Sequence, residues 1–423
     1  MPSAASYRDA FMAFYPLYEM ARLRYLNLEE ARNPQRSEVN RLRHNRRLMN
    51  HTDVVVSAPN NDTLYSSARL DLRFGPLVVS TPAIRGRYYS LHFMNAYTDN
   101  VAILGRRNAG DGPVTVAVVG PGWRGPVPAH THRVDSDTND MWLIVRTLVD
   151  GPDDVAAVAA LQDAMRVEAP RPAADYPHQR VAPAREPTPE LFVAVVNEML
   201  ERNPPVGAMA EHARAGRVVG LAADGSGGWG RLPAPAREGW AAAWPALRAE
   251  LLDPAIFQGR RVGAWEFPQD AAGGRTQDLR VRAAVALRAV AGLGVDEALY
   301  LWSFNDQDGA PLTGASRYRL RIVPGNLPVA GFWSVTLHEM LPDGRYFLAA
   351  NPIFRYSIGN RTRGLKANPD GSIDVVLQHA PPQDTSNWLP APPGAFRLSL
   401  RAYLPAPELV QGRLPLPRID RQP

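Results

Sequence analysis

The sequence predicts a mainly β chain with helical segments: two jelly-roll-like β-sandwich domains joined by a helical region. Three observations carry that expectation. Apolar and polar side chains alternate with period two from the residue-60 region to about residue 150, and again after residue 298. The 40 prolines and 33 glycines are scattered as punctuation without a repeat, which suits short strands joined by turns. At 423 residues the chain also exceeds the size at which a single hydrophobic core stops growing. The boundaries read as residues 1–150 for an N-terminal helix plus the first sandwich, 151–297 for a helical insertion and linker, and 298–423 for the second sandwich.

The first element is a helix. Tyr7, Ala10, Phe11, Phe14, Tyr18 and Ala21 recur at helical spacing, with Ser6 and Asp9 placed as a capping box and Pro16 as a kink or break. Strands follow. Leu70, Leu72 and Phe74 share one face opposite Arg69, Asp71 and Arg73. "RYYSLHFMNAY" alternates likewise, and "VTVAVVG" and "MWLIVRTLV" have the β-branched content of strands. In the middle, "PDDVAAVAALQDAM", "TPELFVAVVNEMLERN" and "REGWAAAWPALRAELL" read as helices, the second with Thr188 as cap and Pro189 in its first turn. "TQDLRVRAAVALRAVAGLG" is a further helix, with Leu279, Ala283, Ala286, Leu287 and Val290 as its buried stripe and a closing glycine. "RYRLRIV", "GFWSVTLHEM", "SIDVVLQH" and "FRLSLRAYLP" are strands of the second sandwich.

Composition removes several chemistries. With no cysteine there is no thiol nucleophile, thiolate metal site or disulfide. Of the 47 basic residues only Lys366 is lysine, and it lies in a turn, so Schiff-base chemistry is not expected. The arginines behind the net charge of +5 are dispersed, which reads as codon bias and not as a nucleic-acid surface. No signal peptide or membrane-spanning run is seen, so a cytoplasmic location is the default. There is no nucleophile elbow, Walker loop, dinucleotide fingerprint or zinc-protease motif. His130 and His132 would share one strand face, but two ligands without a third do not make a metal site. "FNDQDGAPLTG" lacks the acids and closing glutamate of a calcium loop and reads as a turn.

"NNDTLYSSARLDLRFGPLVVSTP", "GRYYSLHFMNAYTDN" and "VGPGW" resemble the bacterial family known as domain of unknown function 1254. "FWSVTLHEMLPDGRYFLAANPIFRYSIGNRT", "NPDGSIDVVLQHAPP" and "SNWLPAPPGAFRLSLRAYLP" resemble its usual C-terminal companion, domain of unknown function 1214. The resemblance leaves the helical middle least matched. It implies two mainly β, jelly-roll-like domains in one chain and no settled reaction. One departure is His338, where such sequences more often carry a tyrosine.

Three polar clusters are the site candidates. Asn60, Asn61, Asp62, Thr63 and Tyr65 crowd the mouth of a strand, either as an Asx turn or as ligand-facing groups. Arg87, Tyr88 and His92 lie along the next alternating strand, Tyr88 and His92 on one face. Trp333, Arg355, Tyr356, Asn387 and Trp388 accompany loops of the second domain, where tryptophan either stacks on a ligand or plugs the sandwich. The leading expectation is a cofactor-independent enzyme using general acid–base catalysis on a small polar or anionic metabolite, as lyase, hydratase, isomerase or hydrolase. In it Asp62, Tyr65, His92 and His338 are the acid–base candidates, Asp62 as base or acid and Tyr65 as proton donor. Asn60, Asn61, Arg87, Tyr88, Trp333, Arg355, Tyr356, Asn387 and Trp388 bind substrate, with Arg355 as anion clamp. The alternative is a non-catalytic small-molecule or glycan-binding sandwich protein. Neither cofactor, metal, nucleic acid nor membrane is expected, and a homo-oligomer is compatible with the sequence.

Overall fold

The computed structural model describes residues 2–34, 36–54, 58–257, 259–268, 276–341 and 345–423. Helix α1 (Ala4–Leu28) is apolar almost all round, with a continuous buried run from Ala10 to Ala21. Such a helix must be covered on every side. The cover comes from α3 (Pro189–Arg202), α4 (Gly207–Gly216), α5 (Ala234–Leu252) and α6 (Leu279–Arg288), which follow the short α2 (Val155–Asp163). Phe11, Phe14 and Tyr18 share one core with Phe192, Val196, Trp240 and Ala283. The N-terminal helix is therefore the axis of the helical layer, where the sequence grouped it with the first sandwich. Its capping box uses Ser3 and Ser6 and not Ser6 and Asp9. Pro16 sits inside the helix without ending it. Thr188 caps α3 as expected, accepting from the Leu191 N–H. Helix α6 closes at Ala289, ahead of the expected glycine.

The first sandwich holds β1 (Arg43–His44), β2 (Thr63–Asp71), β3 (Leu77–Thr81), β4 (Tyr89–Asn95), β5 (Asn100–Gly105), β6 (Val114–Val119), β7 (His132–Asp135), β8 (Asp140–Leu148) and β9 (Arg166–Glu168). Their sheets run β1-β2-β8-β4-β5 and β7-β6-β3-β9. Leu70, Leu91, Phe93 and Leu143 of the first pack against Leu77, Val79, Val116 and Val118 of the second.

The second sandwich holds β10 (Arg261–Val262), β11 (Trp265–Glu266), β12 (Ala298–Ser303), β13 (Arg317–Ile322), β14 (Trp333–Met340), β15 (Tyr346–Leu348), β16 (Ser357–Gly359), β17 (Ile373–Gln378), β18 (Trp388–Pro390), β19 (Phe396–Tyr403) and β20 (Arg418–Gln422). Its larger sheet runs β10-β11-β12-β19-β14-β15 with β16 also on β14, and its smaller one β18-β17-β13-β20. Leu301, Val335, Leu398 and Leu400 meet Leu320, Val375, Leu377 and Ile419 between them. "FNDQDGAPLTG" is a turn, with Asp306 accepting the N–H groups of Asp308 and Ala310. Among the described residues no group of three or more His, Cys, Asp or Glu could hold a metal. No helix among them is long and apolar enough to cross a membrane.

Period two dictates what the larger sheets do with their other faces. On β2, β4 and β8 the residues alternating with the core set are Tyr65, Ser67 and Arg69, then Tyr88, Ser90 and His92, then Asp140, Trp142 and Arg146. At one end the helical layer covers this face through ions. Asp140 accepts from Arg202 Nε (2.9 Å) and Nη2 (2.8 Å) and from Asn203 Nδ2 (2.9 Å), with Arg24 Nε at 3.3 Å. At the other end the second sandwich covers it.

Removing one partner of a buried ion pair strands the other, at a cost of about 3 kcal/mol. Asp140→Asn is accordingly expected to lower unfolding stability by about that amount in a urea titration at pH 7. Burial pushes the Asp140 carboxyl up, but Arg202 and Arg24 together hold it well below the ordinary 3.8. Its folded value being depressed, the contribution is present above pH 3.8 and is lost as pH falls below it. The variant and parent should therefore converge in acid; a gap that persists there, or a loss under about 1 kcal/mol at pH 7, would remove this junction from the account.

Candidate functional site

The polar opening motif does not face solvent. Asn60 Oδ1 accepts the N–H groups of Asp62 (2.5 Å) and Thr63 (3.1 Å), an Asx turn that starts β2. Its Nδ2 donates across the domain boundary to the Tyr403 hydroxyl at 2.6 Å. Asn61 Nδ2 donates to the Met49 carbonyl. Asp62 accepts from Ser334 Oγ (2.7 Å) on β14 and from Ser357 Oγ (3.2 Å) on β16. Arg401 Nη2 reaches the Ala58 carbonyl at 3.1 Å, and His338 Nε2–H donates to the Pro59 carbonyl at 3.1 Å. Residues 58–62 thus form a wedge from the first sandwich driven into the second.

Behind the wedge the polar faces of the two large sheets meet. From the first come Tyr65, Arg146, His92 and Tyr88; from the second Tyr300, Arg401 and Tyr403, with Ser334, Thr336 and His338 on β14. Arg146 lies over the Tyr65 ring, 5.5 Å from its centroid. Its Nη2 donates to the Ala291 carbonyl (2.7 Å) and its Nη1 to His92 Nδ1 (3.3 Å). His92 Nε2–H in turn donates to Asn100 Oδ1 (2.5 Å), whose amide nitrogen is committed to the Gly292 carbonyl (3.0 Å). That chain leaves His92 neutral, and burial first, Arg146 second, bring its pKa down to about 3. Burial, with Arg397 and Arg401 nearby, likewise lowers His338 well below 6.5. Both imidazoles are held as hydrogen-bonding struts, His92 between Arg146 and Asn100 and His338 on the Pro59 carbonyl.

Tyr88 donates to Glu297 (2.9 Å), which also takes Arg107 Nε (3.0 Å). Burial pushes the Tyr300 phenol up while Arg146 pulls it down, so Tyr300 and Arg146 share one field with Tyr65 and Arg401. Arg146 and Arg401 are each 5% exposed, whereas Tyr65 and Tyr300 are half-buried. Along the seam the two tyrosines are thus more exposed than the two guanidiniums. Among the described residues the hydrogen bonds of these two guanidiniums go to carbonyls, His92 and Thr336 and not to a carboxylate, although Asp62 lies in the field of Arg401.

The remaining candidates lie elsewhere and hold the scaffold. Arg87 is latched to Asp154 (2.5 Å) and the Leu148 carbonyl (2.9 Å). Arg355 Nη1 serves three carbonyls, of Thr385 (2.7 Å), Ser386 (3.0 Å) and Trp388 (2.9 Å), which ties it to the segment leading into β18. Asn387 bridges Lys366 and Asp374 backbone, and Trp388, on strand β18, is buried with its Nε1–H on the Gln378 carbonyl. Trp333 fills the second sandwich core, and Tyr356 shares a hydrogen bond with His51 (2.7 Å). A surface groove of about 490 Å³ lined by Glu38, Arg41, Ala169 and Arg171 contains none of the candidates.

Asp62 carries the sharpest prediction. Burial raises its carboxyl above 3.8 against the pull of Arg401 and the two serines. With a raised folded value, its contribution is favourable below pH 3.8 and is lost as pH rises through that value. Asp62→Asn keeps shape and both serine contacts, so its melting temperature at pH 7 is expected to match or exceed the parent's, the gap closing toward pH 3.8. A drop of several degrees at pH 7 would mean the wedge requires the charge.

Comparison with known proteins agrees with this architecture. "Protein of unknown function (DUF1254)" matches residues 39–169, and "Protein of unknown function (DUF1214)" matches residues 297–407. No curated protein matches. The VPA0106 protein from Vibrio parahaemolyticus is 22% identical over 99% of this chain and 100% of its own, with a TM-score of 0.74, a likeness of fold. A putative uncharacterized protein from Burkholderia cenocepacia is 15% identical over 97% of this chain and 87% of its own, with a TM-score of 0.48. With both domains matched in this order, the chain belongs to the family that pairs an N-terminal DUF1254 domain with a C-terminal DUF1214 domain.

Proposed function

We propose that the seam between the two sandwiches binds a small anionic metabolite, with Arg146 and Arg401 as its charge partners and Tyr65 and Tyr300 at its entrance. The observation that supports this is Arg146, a buried guanidinium with no ion pair among the described residues, beside Arg401, whose one carboxylate neighbour is the buried Asp62 in its field. Placing a cation in a low-dielectric interior without its counter-ion costs several kcal/mol. A guanidinium offers five N–H donors, and Arg146 uses two on Ala291 and His92. The remainder are free to take a carboxylate or phosphate in bidentate fashion. Tyrosine at the mouth supplies apolar area and a hydroxyl together, as ligand sites require.

A second reading, cofactor-independent acid–base catalysis on the bound anion, is favoured by Asp62. Its carboxyl is raised by burial, and it shares the field of Tyr403. The two readings separate in Asp62→Asn, which keeps binding under both and removes turnover only under the second.

The test of binding is a panel of acetate, succinate, benzoate, phosphate and sulfate at ~10 mM in thermal unfolding. At least one is expected to raise the melting temperature by ~2 °C, and Arg146→Met should abolish that rise. If no anion stabilises the parent, or Arg146→Met responds as the parent does, the seam is not an anion site.

A further inference from the structure

The turn between α6 and β12 is held in a conformation that its sequence does not favour. Ala291 lies at φ 67°, in the left-handed region, although a glycine follows it directly. Glycine takes that region freely, whereas alanine takes it at a cost. Such a residue persists only where its surroundings over-determine it. Here three side chains from neighbouring strands of the first sandwich do so. Arg146 Nη2 on β8 donates to the Ala291 carbonyl (2.7 Å), and Asn100 Nδ2 on β5 donates to the Gly292 carbonyl (3.0 Å). His92 on β4 stands between them, its Nδ1 taking Arg146 Nη1 (3.3 Å) and its Nε2–H held by Asn100 Oδ1 (2.5 Å). Arg146, His92 and Asn100 are thus one continuous clamp whose two ends grip successive carbonyls. Just beyond them the turn is anchored by Leu293, fully buried in one cluster with Tyr88, Phe332 and Tyr403.

The Ala291 carbonyl stands on the nitrogen that an anion needs most. End-on recognition by a guanidinium uses Nη1 with Nη2, and side-on recognition uses Nε with Nη2, so both forks include Nη2. An anion on either fork brings its charge against the negative end of that carbonyl, two acceptors on one nitrogen. With strain already stored at Ala291, the carbonyl is the partner that yields.

On the reading that Arg146 takes an anion at the seam, we infer that the turn 289–294 is the gate of that site. The anion replaces the Ala291 carbonyl on Arg146, and the turn relaxes away from the clamp. Hydrogen–deuterium exchange of the full chain, read over residues 289–296, tests this with acetate, succinate, benzoate, phosphate and sulfate. Any of these that raises the melting temperature is expected to speed exchange in the turn, and Arg146→Met should show the faster exchange without an anion. Ala291→Gly removes the strain and favours the closed turn, so it should melt no lower than the parent and bind the same anion about fivefold more weakly. Should Arg146→Met fail to fold, the parent and Ala291→Gly still decide. An anion that stabilises the parent but leaves exchange of the turn unchanged, or binds Ala291→Gly as tightly, overturns the gate and spares the anion site. Ala291→Gly melting below the parent would remove the strain and the gate with it. If no anion stabilises the parent, gate and site fall together.

Discussion

The larger sheet of each sandwich is required to be buried on both faces, although period two makes only one of those faces apolar. Everything else in the molecule answers that requirement. A polar face removed from water must find its hydrogen bonds in protein. Residues 58–62 supply them for the second sandwich: within five residues the wedge engages Arg401, His338, Tyr403, Ser334 and Ser357. The crowding of short polar side chains before β2 is thus explained without remainder in Asn60, which holds the turn with its oxygen and the neighbouring domain with its nitrogen.

The outer face of the first large sheet is solved differently at its two ends. At Asp140 and Asp71 the helical layer brings arginines to carboxylates, and charge is matched by charge. At Arg146 the partners are the Tyr65 ring of its own sheet and the Ala291 carbonyl just after α6, and charge is solvated without an ion pair. The first arrangement is what a structural junction needs, because breaking either partner is costly. The second leaves a buried cation without an ion pair, and that asymmetry is the ground for proposing the anion at the seam and not at the junction. Fold alone would not make the distinction.

Legibility in the sequence followed the same physics. Strands such as "RYRLRIV" and "FRLSLRAYLP" and helices such as "TPELFVAVVNEMLERN" could be placed because periodicity and caps are local. The partner of α1 could not, since an all-round apolar helix says that it is buried and not by what. The seam was half visible. Of the residues that type singles out, Asp62, Tyr88 and His338 make contacts between the sandwiches, while Tyr65 and His92 meet Arg146 of their own sheet. Arg146, Tyr300, Arg401 and Tyr403 were passed over because polar residues alternating in a strand look the same whether they face water or another sheet. A lone arginine inside "MWLIVRTLV" was the available signal. Trp333, Arg355, Asn387 and Trp388 lie away from the seam, and a loop rich in Trp, Asn and Arg reads alike whether its side chains hold neighbouring backbone and core, as these do in part, or face a ligand.

The near-exclusive use of arginine also looks different once the side chains are placed. As composition it reads as codon bias, and for exposed groups such as Arg363 and Arg180 nothing more is required. The buried ones are another matter. Arg355 spans three carbonyls, Arg202 holds Asp140 with two parallel bonds while touching Asp71, Arg69 lies flat on Trp142, and Arg401 reaches Thr336 and the wedge together. Each of these uses a planar fork whose donors point in fixed, divergent directions and whose face tolerates an aromatic ring. An ammonium is a single strongly hydrated point and could satisfy one partner at each place while leaving the others unpaired in the interior. A compositional bias has thus become a structural dependence. The fold closes its polar faces with guanidinium groups, and Arg146, which makes no ion pair among the described residues, is the one on which the proposed anion site rests.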